Sequence, residues 1–156
     1  MRISVLSVGR RMPGWVDAGF REYAKRMPRE CVLNLVEIDP VMRGKGVATA
    51  RACRLEGERL LKALPKGARV IALDVRGHAW GTEELGGHLR RWLADGADLA
   101  LLVGGADGLS EDCLARAEQR WSLSPLTFPH QLVRVILAEQ LYRAWTLTRG
   151  HPYHRA

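Results

Sequence analysis

Residues Leu99 to Leu109 read LALLVGGADGL, and the rest of the chain is arranged around them. Five apolar residues, Leu99 to Val103, run into Gly104 and Gly105, with a further glycine at Gly108. Ser110 then opens a helical pattern carrying Glu111 and Asp112 in its first turn. A buried strand, a glycine turn and a helix N-terminus bring backbone N–H groups close to a ligand. The spacing is neither the dinucleotide fingerprint G-x-G-x-x-G nor a phosphate loop with its lysine. Taken alone, the same glycines equally serve a plain strand-to-helix connection.

Working outward, Ile3 to Val8 is apolar and β-branched, a strand ended by Gly9. Arg10 and Arg11 follow, then Pro13 at the start of a helix whose inner face is Trp15, Val16, Gly19, Phe20, Tyr23 and Met27. Val32 to Ile38 is a second strand, closed by Pro40. MRGK, from Met42 to Lys45, reads as a flexible basic turn. It leads to a helix with the stripe Cys53, Gly57, Leu60, Leu61 and Leu64. Arg43, Lys45, Arg51 and Arg54 could meet phosphates, but an ordinary solvated face is the reading these residues favour.

Val70 to Val75 is the third strand and leaves through Asp74 and Gly77. Thr82 is placed to cap the next helix, which buries Leu85, Leu89, Trp92 and Leu93 and ends at Asp95-Gly96. After the glycine turn a short helix, Ser110 to Arg120, is expected to bury Leu114 and Ala117. Trp121 to Phe128 is extended, and Pro125 makes it a strand end running into a loop. Pro129 begins the longest helix, with Val133, Ile136, Leu137, Leu141, Ala144 and Trp145 on its packed side. A polar tail, Thr148 to Ala156, closes the chain.

Strands and helices alternate, and the strands are continuously apolar. The expected class is α/β: a mostly parallel sheet with helices on both faces. Ligands in such folds bind beyond the carboxyl ends of the strands. The loops after Val75, after Val103 and around Ser124 therefore share one rim.

The 156 residues suffice for a single domain, 1–156, and 47% of them are hydrophobic. No apolar run approaches the roughly 18 residues of a membrane span, and no signal-peptide pattern opens the chain. A cytoplasmic protein without membrane attachment is expected. Three cysteines at wide spacing, Cys31, Cys53 and Cys113, fit core positions better than disulfides or a metal site, and no metal is expected. Lys and Arg total 24 against 17 Asp and Glu, a net +7 that favours a polyanionic partner such as nucleic acid over a merely solvated surface.

Four segments carry a resemblance. SVGRRMPGWVDAGFREY from Ser7, Leu73-Asp74, LVGGADGL from Leu102, and WSLSPLTFPHQLVRVILAEQLYRAWTLTRGHPYH from Trp121 are similar to the RlmH family. This is a family of ribosomal large subunit methyltransferases within the knotted SPOUT class. The resemblance runs over essentially the whole chain. It implies a C-terminal trefoil knot, which ordinary folding rules argue against by default. It also implies a homodimer that uses S-adenosylmethionine to methylate N3 of a pseudouridine in a 23S rRNA stem-loop on the assembled ribosome.

Carried over by position, the cofactor site comprises Leu73, Gly104, Gly105, Leu123, Ser124, Pro125, Leu126, Thr127 and Phe128. The resemblance places the C-terminal tail at the RNA-facing active site, with His151, Tyr153, His154 and Arg155. By residue type, His130, His151 and His154 are candidates to receive the imide proton, Tyr153 to orient or stack on the base, and Arg143, Arg149 or Arg155 to stabilise charge on the ring. His130 equally suits a structural role at the start of its helix. His78 and His88 are expected at the surface. Two other classes stay open on the residues alone: a doubly wound nucleotide enzyme with its phosphate cradle at Gly104 to Gly108, and a non-enzymatic ribosome-binding module.

Overall fold

The chain runs β1 (Arg2–Val8), α1 (Gly14–Ala24), β2 (Val32–Ile38), α2 (Thr49–Lys62), β3 (Arg69–Ala79), α3 (Thr82–Asp95), β4 (Leu99–Val103), α4 (Glu111–Arg116), β5 (Gln119–Ser122) and α5 (His130–Thr148), then a 3-10 turn, Pro152–His154. The computed structural model describes residues 1–155, except the His154 side chain. All five strands are parallel, in the order β2-β1-β4-β3-β5.

The period-two geometry of a strand explains why both faces are covered. On β4, Leu99, Leu101 and Val103 enter a cluster with Phe20 of α1, Leu85 of α3 and Leu137 of α5. Ala100 and Leu102 point the other way, towards Leu60 of α2 and Cys113 of α4. Strands apolar at every position are what two covered faces require. Each fully buried leucine or isoleucine contributes about 1.5–3 kcal/mol. Three helices therefore cover one face and two the other, and α5 packs against both α1 and α3.

Several local expectations hold. The helical pattern does open at Ser110, whose hydroxyl accepts from the Cys113 N–H at 3.3 Å and so caps α4. Gly96 ends α3 in the left-handed region at φ 76°. Others change. Thr82 is the first residue of α3 rather than its cap; Gly81 holds that place without a side-chain bond. Trp15 is 59% exposed, since the inner face of α1 is carried by its neighbour Val16 and by Phe20, both buried. The helix after the glycine turn stops at Arg116, and the following strand starts two residues before Trp121 and ends at Ser122, so most of 121–128 is loop. Cys53 is only partly buried, while Cys31 and Cys113 are in the core.

β3 is longer than its apolar run. Its pairing with β5 holds through Leu73, breaks, and resumes at His78. Asp74 to Gly77 bulge from the sheet at the carboxyl rim. The bulge returns through Gly77, where a Cβ would lie 2.6 Å from the Arg120 backbone.

Among the described residues no helix is long and apolar enough to cross a membrane.

Candidate active site at the carboxyl rim

The three loops placed on one rim by the alternation of elements do meet. Together they line a cleft of about 700 Å³, within the ordinary range for a small-molecule site. The bulge after Leu73 forms one wall, the 104–109 turn a second and the 123–128 loop a third, with His130 and Val133 of α5 at the end. Leu73, Gly104, Gly105, Leu123, Ser124, Leu126, Thr127 and Phe128 all line it. Pro125 is exposed at the loop tip and off the wall. The cause is local: the Leu126 N–H donates to Ser124 Oγ at 3.0 Å, which closes a tight turn around Pro125.

The glycine turn is compact. The Gly108 N–H donates to the Gly105 carbonyl at 3.1 Å, and Gly108 takes φ 77°. A Cβ on Gly104 would lie 2.4 Å from the Gly108 carbonyl carbon, so the two arms touch through backbone. The turn thus presents main chain rather than side chains to the cleft.

Asp74 was not singled out from the sequence as a site residue, although it lies in a matching segment. Its side chain is 11% exposed and lines the cleft. Oδ1 accepts from the Arg76 N–H at 3.1 Å, whereas Oδ2 is buried without a hydrogen-bond partner among the described residues. Buried polar atoms are nearly always satisfied, so this oxygen marks where a ligand donor or positive charge belongs. The available signal was an acidic residue at the carboxyl end of an apolar strand.

His130 is set by a buried guanidinium one helical turn further on. Arg134 is fully buried. Its Nε donates to Ser7 Oγ at 3.0 Å, Nη1 to Glu37 Oε2 at 2.9 Å, and Nη2 to the Gly9 carbonyl at 2.8 Å. A buried charge is tolerated when it is paired and its donors are used, as here. This knot of bonds fixes the start of α5 to the ends of β1 and β2. A Cβ on Gly9 would lie 3.4 Å from His130 Nε2, so the ring rests over that glycine.

Burial, and then the Arg134 charge, hold His130 below the ordinary histidine pKa. The folded state therefore prefers the neutral ring. That preference contributes stability fully above the unfolded value of about 6.5, and the contribution is lost as pH falls through the lower folded value. NMR titration should show the His130 midpoint below the ordinary histidine value of about 6.5. His130→Gln should flatten the loss of stability below about pH 6.5. A His130 midpoint at or above that ordinary value contradicts the assignment.

The tail packs elsewhere in its own chain. The Tyr153 hydroxyl donates to Glu139 Oε1 at 3.1 Å, and its ring lies 4.7 Å from Tyr142. Arg143 donates to the same carboxylate oxygen at 2.6 and 2.9 Å and lies 5.2 Å over the Tyr153 ring. Burial and bonds to Tyr23 and Glu139 push the Tyr153 phenol well up, so it stays protonated. Tyr142 is twelve residues along α5 from His130, about 18 Å of helix. Arg143 and Tyr153 are thus grouped with each other and not with the cleft; Arg155 is exposed beyond them. The His154 side chain lies outside the described residues. His78 is exposed as expected, whereas His88 is half-buried, its ring 4.0 Å from Trp80.

Arg43 is not a free surface cation either. It pairs with Glu56 at 2.6 Å and with Asp107 of the glycine turn at 2.8 Å. Arg51 and Arg54 stay exposed.

Comparison with known proteins assigns the family. Residues 1–154 match the family model described as "Predicted SPOUT methyltransferase". The chain is 65% identical over 156 residues to a Ribosomal RNA large subunit methyltransferase H from Alkalilimnicola ehrlichii, covering all of both chains. Proteins of the same name from Thioalkalivibrio sulfidiphilus and Hahella chejuensis are 59% and 56% identical over 155 residues, 99% of each chain. With an all-parallel α/β sheet, a three-loop cleft at its carboxyl rim and a full-length match, this chain belongs to the SPOUT methyltransferase family.

Proposed function

We propose that this protein transfers a methyl group from S-adenosylmethionine to N3 of a pseudouridine in a 23S rRNA stem-loop, acting as a cytoplasmic homodimer on the assembled ribosome. The names of the similar proteins support rRNA of the large subunit as substrate, and the net charge of +7 suits a polyanion.

The observation that carries the cofactor assignment is the composition of the cleft. Leu73, Leu123, Leu126 and Phe128 offer an apolar slot for adenine beside free main-chain groups of the loops. Asp74 Oδ2, buried and unpartnered, suits the ribose hydroxyls or a positive charge of the cofactor. In this reading 123–129 is threaded behind the 104–109 turn as a trefoil knot. The two segments facing across one cleft, with β3 between β4 and β5, support it.

When bound, S-adenosylmethionine supplies a methyl group already activated by its sulfonium. What remains for the protein is positioning of the acceptor and disposal of its proton. His130, neutral on the cleft wall, is able to hold the proton that leaves N3. In this reading the roles toward the RNA base and its charge fall to Arg143, Tyr153, His154 and Arg155. Since the Tyr153 end of α5 is far from the cleft of its own chain, these residues serve the cleft of the second subunit. Trp15, exposed on the same rim, suits that contact.

Methyl transfer to ribosomes lacking the modification, followed by mass mapping of 23S rRNA, tests this. One new methyl group on a pseudouridine is expected, and naked 23S rRNA should react at least about tenfold more slowly. No transfer from S-adenosylmethionine to either substrate overturns the assignment. Equal rates overturn the requirement for an assembled ribosome, since a chain this small then reads its target without a larger surface.

A further inference from the structure

The glycine turn carries few side chains with which to hold its own shape. Its tether comes from outside. Residues 41–48 form a short flap after β2, with Gly44 and Gly46 at positive φ and the Val47 N–H donating to the Gly44 carbonyl at 2.9 Å. From this flap Arg43 reaches three ways. Its Nη1 and Nη2 fork onto Glu56 of α2 at 2.6 and 2.9 Å, Nη1 also donates to the Val41 carbonyl at 2.8 Å, and Nε donates to Asp107 at 2.8 Å.

Glu56 is the fixed point of this arrangement. Its side chain is 3% exposed, its third bond comes from the Val41 N–H at 2.9 Å, and it lies beneath the turn, 3.5 Å from where a Gly105 Cβ would stand. Burial alone would raise the Glu56 carboxyl, but the Arg43 and Val41 bonds bring it below the usual range, so the pair is charged. A planar fork reading a carboxylate with two nitrogens while a third holds another is geometry that lysine cannot reproduce.

We propose that Arg43 is a positioning residue for the cofactor cleft: from the flap, braced on Glu56, it holds Asp107 and with it the 104–109 turn in the shape that receives the ligand. This deepens the methyltransferase reading above and rests on it for the ligand. Neither Arg43 nor Glu56 lines the cleft, so their effect on binding passes through the turn. A turn that must be ordered on binding binds more weakly than one already ordered.

Arg43→Met alone leaves Glu56 buried and unpaired and lowers the melting temperature for that reason. Arg43→Met/Glu56→Gln removes the stranded charge while keeping an acceptor for the Val41 N–H, so its melting temperature should recover most of the loss. Two readouts are then taken on the double variant and on Arg43→Lys: hydrogen exchange of amides 104–109 without ligand, and calorimetry with S-adenosylmethionine. Faster exchange confined to those amides and a Kd raised about tenfold are expected, within the hundredfold that an ångström of misplacement produces. In turnover, the cofactor KM should rise while kcat at saturation stays within about twofold.

Unchanged exchange in the refolded double variant overturns the proposal, as does faster exchange with wild-type affinity. Wild-type protein that takes up no S-adenosylmethionine overturns the cofactor assignment instead. The exchange result still decides whether Arg43 holds the turn.

Discussion

Gly104→Ala should nearly eliminate uptake of S-adenosylmethionine. The new Cβ would meet the Gly108 carbonyl carbon at 2.4 Å, its oxygen at 2.5 Å and the Leu109 nitrogen at 2.8 Å. All three are backbone atoms, so no rotamer change relieves the collision and the two arms of the turn must part. Forced overpacking of this kind costs about 1–3 kcal/mol of stability. The larger effect falls on the ligand, since the displaced arm is the main chain that walls the cleft and its pre-organisation is lost.

Gly105→Ala is the matched comparison. There the Cβ meets Val8 Cγ1 at 3.2 Å, a side-chain atom that must give by a few tenths of an ångström, and Glu56 Oε1 at 3.5 Å, an ordinary van der Waals separation. Its affinity should fall by less than about tenfold. Calorimetry and thermal melting on both variants separate the two positions. Wild-type affinity in Gly104→Ala would mean that the turn is not a wall of the cofactor site.

Those glycines were visible in the sequence as a turn, and the rim they occupy followed from the alternation of strands and helices. Local signals with a local cause could be read directly: a helix opening at Ser110, Gly96 as a stop, and Ala100 and Leu102 apolar because both faces of β4 are covered. What escaped depends on partners distant in sequence. Arg134 looks like a surface residue on a helix, and only Ser7, Gly9 and Glu37, brought to it by the sheet, make it a core residue. Arg43 was grouped with the surface cations because Glu56 and Asp107 meet only in space. The bulge at Asp74 to Gly77 breaks and resumes a strand without any change in residue type that marks it. The three-loop cleft was legible because the alternation of elements puts its walls on one rim, whereas the cofactor role of those walls came only from the family resemblance. Where the tail acts was not, because within one chain it packs on Glu139 and Tyr142, away from the cleft.

Deleting residues 150–156 should abolish methyl transfer while leaving S-adenosylmethionine affinity within about twofold, because the cleft and the tail are separate in one subunit. The deletion removes Tyr153 from Tyr142 and Glu139, but Glu139 keeps Arg143 as a partner, so no buried charge is stranded. The fold should therefore survive. Residual methylation near the wild-type rate would exclude the tail from the reaction. The sharper test is complementation. Tail-deleted subunits carry an intact cleft, and Gly104→Val subunits carry an intact tail with a ruined cleft; each homodimer should be inactive. In a closed two-fold dimer where the tail serves the opposite cleft, the mixed dimer has one complete site. Random pairing gives about half mixed dimers, so co-expressed subunits should recover about a quarter of the wild-type rate per chain. If instead each tail folds back over its own cleft, no pairing of these two subunits contains a complete site and the mixture stays inactive. The helix geometry favours the first outcome: a tail anchored by Tyr153 at Glu139 and Tyr142 is about 14–18 Å along α5 from His130, while a second subunit related by the two-fold can bring the same surface to the rim directly.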